Sequence, residues 1–307
     1  HNDGDGDFGP DGDADIIKCG SYTGTGAAGN FVDIGFEPQW VMTKSATGSE
    51  NWVIQDNMRS MTDTDYAWLR ANLSSVEAGG AFSGGTAAAR PTGFVINNAG
   101  NENNASGGNY IYIAIRRPTA VPESATDVFD ISYGQGTKPW FQNNGWPVDM
   151  ALERPPTSGN GSISSRLTQD KNLYTNGTQS ELSTPNFDFD FQNGFYNLAV
   201  SSTSYVGYMW KRAPNYMDCV AFTGTGSAGT HNHNLTIPAE MMWVKSRAGN
   251  GNWFVYHSGL GATKYLFLNE TSAAGTASSV WNDTAPTSSV FSVGASVNQA
   301  SASIAYL

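Results

Sequence analysis

The ordered recurrence of one set of motifs along the 307 residues constrains the fold more than any other feature of the chain. Cys19, Tyr22, Thr23, Gly24 and Gly26 return as Cys219, Phe222, Thr223, Gly224 and Gly226, with Ile131, Tyr133, Gly134 and Gly136 as a degenerate middle version. The apolar run from Pro38 to Lys44 recurs between Pro238 and Lys245, and between Pro147 and Arg154. Next come Trp52 and Trp253, then Asn72, Asn176 and Asn269, each shortly after a leucine (Leu69, Leu173, Leu266), then Phe94, Phe195 and Phe291. Each copy closes on an apolar run, at 110–115, 205–210 and 303–307. The period is about 100 residues, the size of a whole domain and well above the ~20–50 residues of a solenoid unit. The expected organisation is an acidic Gly/Asp-rich loop or linker at 1–15, followed by repeats at 16–118, 119–214 and 215–307, the second degenerate.

Inside each copy, short alternating or wholly apolar runs are separated by clusters of Gly, Asn, Asp, Ser and Pro, the pattern of antiparallel sheets. Charged residues make up only 14% of the chain and Gly numbers 35, which leaves little material for long amphipathic helices. The expected fold is all-β: three tandem antiparallel β-sandwich domains of jelly-roll or lectin-like type. Residues 187–191 alternate Phe with Asp, so the rings belong to one face and Asp188 and Asp190 to the other. Residues 110–115 are apolar on both faces, which suits a central strand covered on both sides. Only 64–77 is open to a short helix. Gly24 with Gly26, and Gly224 with Gly226, are expected in hairpin turns. The proline-containing linkers at 117–122 and 212–215 favour a stiff rod of modules. Cys19 and Cys219 occupy equivalent places, so they are expected as free, mostly buried thiols, since a bridge needs Cα atoms within about 7 Å.

Net charge is −11 with no block of Lys or Arg, which argues against nucleic acid and anionic lipid as partners. No run approaches the roughly 20 apolar residues that span a bilayer, so membrane insertion is not expected. The chain opens on His1 rather than Met and closes on a strand-like run, as a segment of a longer protein would. Histidines stand only at 1, 231, 233 and 257, and neither Gly-x-Ser-x-Gly nor His-Glu-x-x-His occurs. His231 and His233 can form a metal pair on one strand face, or lie in a solvent-exposed loop. Asp188 and Asp190 can be the paired carboxylates of a glycosidase, or an outward polar edge. Asp3, Asp5 and Asp7, followed by Asp11, Asp13 and Asp15, place carboxylates at alternate positions, as Ca²⁺ loops do. Phe8 and Ala14 break the EF-hand pattern counted from Asp3, so Ca²⁺ on Asp3, Asp5 and Asp7 stands beside a plain acidic loop, and no other cofactor is expected. Asn104 and Asn176 open glycosylation sequons, which otherwise reflect loop composition. Trp140, Trp146 and Trp243 can stack on sugar rings or fill cores.

In copy one the motifs read Tyr22-Thr-Gly-x-Gly26, Gly35-Phe-x-Pro-x-Trp-Val-x-x-Lys44, Trp52-x-Ile-x-Asp-x-x-Arg59, Leu69-x-x-Asn-Leu73, Gly93-Phe94 and Asn104-x-Ser-Gly-x-x-Tyr-Ile-Tyr-x-Ala114. This order resembles a tandem repeat of large structural and tail-fibre-like proteins of bacteriophages, especially those of marine bacteria. Residues 281–291 are similar to such proteins as well. Copy two departs from the pattern by lacking the Trp-x-Ile-x-Asp stretch, and copy three lacks a Gly before Phe291. The resemblance implies a virion or extracellular location and a lectin-like sandwich, and it brings no site residue with it. The expected function is non-enzymatic: a tail-fibre-like or filament-forming structural protein, associating with itself as a trimer or filament and adhering to a host-surface glycan or protein. The alternatives are a carbohydrate-binding array of a secreted protein or adhesin, and a polysaccharide depolymerase.

Overall fold

In a computed structural model of the chain, residues 15–59, 61–63, 67–79, 87–134, 140–169, 171–183, 187–197 and 205–307 are described, with backbone alone at 140–143. Asp3, Asp5 and Asp7, the expected Ca²⁺ ligands, lie outside the described residues. Copy one contains β1 (Ile17–Thr23), β2 (Asn30–Asp33), β3 (Pro38–Ser45), β4 (Val53–Asp56), β5 (Ala67–Arg70), β6 (Ala78–Gly79), β7 (Ala87–Arg90), β8 (Gly93–Ile96) and β9 (Asn109–Arg116). Copy two has β10 (Phe129–Tyr133), β11 (Trp140–Asn143), β12 (Met150–Arg154), β13 (Ser162–Ser165), β14 (Leu173–Tyr174), β15 (Phe187–Asp188), β16 (Gly194–Asn197) and β17 (Val206–Trp210). Copy three has β18 (Cys219–Thr223), β19 (Gly229–Asn232), β20 (Met241–Ser246), β21 (Phe254–His257), β22 (Lys264–Phe267), β23 (Gly275–Thr276), a single helical turn α1 (Ser278–Trp281), β24 (Val290–Val293) and β25 (Ala302–Tyr306).

The larger sheets run β1-β9-β3-β4-β5-β6, β10-β17-β12-β13-β14 and β18-β25-β20-β21-β22-β23, and every pairing is antiparallel. In each copy the first strand pairs with the last, and the last with the strand that carries the Pro-to-Lys/Arg motif. The smaller sheets, β2-β8-β7, β11-β16-β15 and β19-β24, repeat the partnership of the second strand with the Phe-bearing one. The registers coincide: Cys19 faces Ile113 and Cys219 faces Tyr306, while Lys44 faces Ile111 and Lys245 faces Ile304.

Period-two alternation explains the cores. On β9, Tyr110, Tyr112 and Ala114 turn inward onto Phe94, and the Tyr22 and Tyr110 rings stack at 5.2 Å. In copy two, Phe187, Phe189 and Phe195 stack over Val148, Ala151 and Met209. In copy three, Trp281, Phe291 and Tyr256 pack on Met242, Val244 and Ala305.

The chain divides into two compact units, His1–Ala120 and Val121–Leu307. Copies two and three therefore form one body rather than separate modules on a stiff linker. At their joint Arg212 is buried against Asp218 at 2.7 Å, and Ala213 bridges to Met217, so the joint is itself packed interior. Residues 67–70, within the stretch open to a helix, form β5 instead. Their backbone pairs with β4 and β6, and tertiary pairing overrides local propensity. The Thr-Gly-x-Gly segments are not hairpins, because β1 and β2 belong to different sheets, as do β18 and β19. They are corners between sheets. A Cβ on Gly24 would lie 2.1 Å from the Ala105 carbonyl oxygen, and one on Gly224 would lie 1.8 Å from that of Gln299. Close backbone approach, not turn type, requires these glycines.

Candidate functional site

Three features of unit Val121–Leu307 carry polar chemistry in buried places: the seam between copies two and three, an aromatic cleft along it, and a carboxyl in the core of copy two.

The seam covers the outer face of the copy-three sheet, the side away from that copy's own core. A hairpin-like segment of copy two, 173–182, crosses it, closed by a bridge between Asn172 and Leu182. Trp253 donates its indole N–H to the Tyr174 carbonyl at 2.8 Å, and Gly251 N–H reaches Thr178 O at 2.8 Å. Lys245 Nζ is buried among three carbonyls, those of Ser246, Gly249 and Thr178, at 3.1, 3.3 and 3.3 Å. Burial pushes that ammonium down to about 8. Arg247 makes a two-point ion pair with Glu181 at 2.8 and 3.0 Å, and Glu181 N–H returns to Arg247 O. Both side chains are buried, where such a fork is strong only because each partner is held.

The cleft, about 200 Å³, is lined by Met150 and Trp210 of copy two and by Tyr216, Met241, Trp243 and Tyr306. Trp243 Nε1 is buried, with no acceptor among the described residues. Of the tryptophans singled out for sugar stacking, Trp243 thus lines an open cleft. Trp146 is buried and donates to Thr126 O at 3.0 Å, and the Trp140 side chain lies outside the described residues.

In copy two the inward position held by Thr43 in copy one and Val244 in copy three is Glu153. Across the core, Asn197 stands where Ile96 and Val293 stand in the other copies, and its amide donates to Glu153. Both are buried, and desolvation pushes the Glu153 carboxyl up to about 8 against the opposing effect of that bond. Sequence reasoning passed over Glu153. Its signal was an acid at the inward phase of the run Met-Ala-Leu-Glu-Arg, visible only once copies are aligned strand by strand.

The other residues singled out from sequence are spread apart. His231 Nε2 meets Asn298 Oδ1 at 3.0 Å with its ring on Phe222, while His233 is buried with Nε2 on Thr287 O and Nδ1 accepting from Leu235 N–H. Both imidazoles pack beside Phe291, and no metal-ligating cluster occurs among the described residues. Asp188 Oδ1 accepts the Asp190 N–H at 2.9 Å, a local turn at the end of the two-residue β15. Asn104 of the first sequon is buried, its amide donating to Ala27 O and Asn98 O. Asn176 donates to Asn160 and accepts from Gly161 N–H. Cys219 is buried, as expected of both thiols, but Cys19, its counterpart, is exposed.

These features define the class: a repeated-domain, all-β protein of β-sandwich-like antiparallel sheets in which two copies are fused through a sheet face. The model of the family described as a domain of unknown function, DUF7483, matches residues 16–118 and again 212–307, more than half of the chain. The chain belongs to that family. The matches fall on copies one and three and pass over the degenerate copy two. Comparison with curated proteins gives no match. Among the described residues, no helix is long and apolar enough to cross a membrane.

Proposed function

We propose that this protein is a non-enzymatic structural and adhesive element of a virion or extracellular surface, tail-fibre-like, built from three tandem sandwich modules of about 100 residues. Its partners in this reading are further copies of itself and a host-surface glycan or protein, with no role for nucleic acid. The observation that carries the reading is what the copies keep: one strand order, the inward aromatics, and one asparagine latch. Asn72, Asn176 and Asn269 each accept a backbone N–H from the neighbouring strand, at Trp52, Gly161 and Trp253, and donate to Asn51, Asn160 and Asn252. What varies between copies is core composition and outer-face cover. Negative-stain imaging of the native assembly is the test: fibres or virion-associated spikes support the reading. Release of reducing sugar from a host capsule by the purified chain would overturn it.

A second reading, a carbohydrate-binding array, is favoured by the cleft. Trp210, Trp243 and Tyr216 offer aromatic faces to the C–H face of a sugar. The volume is below the ~300–1,000 Å³ of drug-sized pockets, which suits one ring of a longer glycan. Binding on a glycan array that is lost in Trp243→Ala, with the fold retained, would favour it.

A further inference from the structure

The outer face whose residues are buried on copy three has exposed residues on copy one. Residue by residue, Ile17, Cys19, Met42, Lys44, Trp52, Ile111 and Ile113 stand where Met217, Cys219, Trp243, Lys245, Trp253, Ile304 and Tyr306 stand in copy three. Ile111 is 44% exposed and Ile17 39%, whereas Ile304 is 0% and Met217 6% exposed. Polar groups match too. Lys44 Nζ is held by Ser45 O and Gly48 O, as Lys245 is by Ser246 O and Gly249 O, and among the described residues only Lys245 has a third acceptor, Thr178 O.

The element that does the covering also has a free counterpart. In copy two it is the segment closed by Asn172 and Leu182. In copy three the same ten-residue spacing pairs Tyr265 with Gly275, so 266–275 corresponds to 173–182, and Thr271, Ser272, Ala273 and Ala274 are exposed. The charges agree with a match. The covered face carries Arg247 and its cover Glu181, while the exposed face has Ala46 at the Arg247 place and the free segment has Ala274 at the Glu181 place. An arginine without its acid, costly to bury, thus occurs on neither side.

We propose that the exposed face of copy one binds the 266–275 segment of a second copy of this chain, reproducing between chains the seam seen between copies two and three. The inference rests on the self-associating reading above and names its interface. The contact is heterologous, pairing a face of copy one with a segment of copy three, so association builds a ring where the rotation closes and an open chain where it does not. Trp52 Nε1 then donates to Phe267 O and Lys44 Nζ to Thr271 O, the counterparts of Tyr174 O and Thr178 O.

The test is sedimentation velocity of the full chain from about 1 µM to about 100 µM, the weak end of specific interfaces of standard size. Wild type should grow in mass with concentration. Ile111→Lys, on the face, and Ala274→Arg, on the cover, are both at exposed positions and should keep the circular dichroism and melting temperature of wild type. Each should weaken association at least tenfold. Mixed in equal amounts they should form a 1:1 dimer and nothing larger, because each supplies the half that the other lacks. In parallel, Cys19 alkylation should slow as wild-type concentration rises. A wild type that is monomeric throughout overturns both the interface and the self-association reading. Association that neither substitution weakens, or a mixture that forms no dimer, overturns this interface and leaves self-association standing.

Discussion

Glu153 shows how far one inward residue can set the behaviour of a core. Its folded-state affinity for a proton is raised, from the ordinary 4.5 to about 8, so its contribution to stability is full below about pH 4.5. That contribution declines as pH rises through the interval and is lost above about 8. Chemical denaturation of the full chain at pH 5 and pH 9 should therefore show unit Val121–Leu307 less stable at the higher pH. Glu153→Gln, which keeps an acceptor for Asn197 and cannot ionise, should flatten that difference. The asparagine latches are the second residue-scale feature. Asn269→Ala removes an acceptor for Trp253 N–H and a donor to Asn252, and should destabilise by about 1–2 kcal/mol in urea unfolding. The latches were legible as recurring Leu-x-x-Asn, but their geometry was not, because the partner lies on the neighbouring strand. Glu153 was illegible for the same reason: only sheet register reveals that it points inward.

Elements obey the alternation of the sequence wherever neighbours on the sheet supply a core. Residues 187–191 place Phe187 and Phe189 in the core, yet only Phe187–Asp188 pair as strand, since the Asp188 carboxylate caps the Asp190 amide. The glycine corners are set by approach distance. Gly224→Ala would press a methyl into the Gln299 carbonyl and should destabilise copy three by more than about 1 kcal/mol, whereas Gly251→Ala, with open space around it, should be neutral within about 0.5 kcal/mol. Thermal melts of the two variants check the contrast. At the seam, Arg247→Ala leaves Glu181 buried without its partner and should cost about 3–5 kcal/mol, while Arg247→Ala with Glu181→Ala should recover part of that loss.

For the whole molecule, contact organisation predicts two cooperative units where three were expected. Calorimetry should resolve separate transitions for His1–Ala120 and Val121–Leu307, and Arg247→Ala should lower only the second. One transition moved as a block by that substitution would contradict the division. The repeat suggested a stiff rod of three modules of one plan, the second degenerate. What sets the modules apart is burial of one sheet face: Ile304 and Cys219 are buried, while Ile111 and Cys19 are exposed.

By itself the sequence determined the all-β class, the threefold recurrence and most inward aromatics, because these follow from local alternation, turn composition and motif order, which are written along the chain. Only the tertiary structure decided that 67–70 is strand, that the glycines form sheet-to-sheet corners, that Glu153 lies in a core, and that copies two and three share a seam. Each of these depends on contacts between residues far apart in the chain, where burial and desolvation act on neighbours in space.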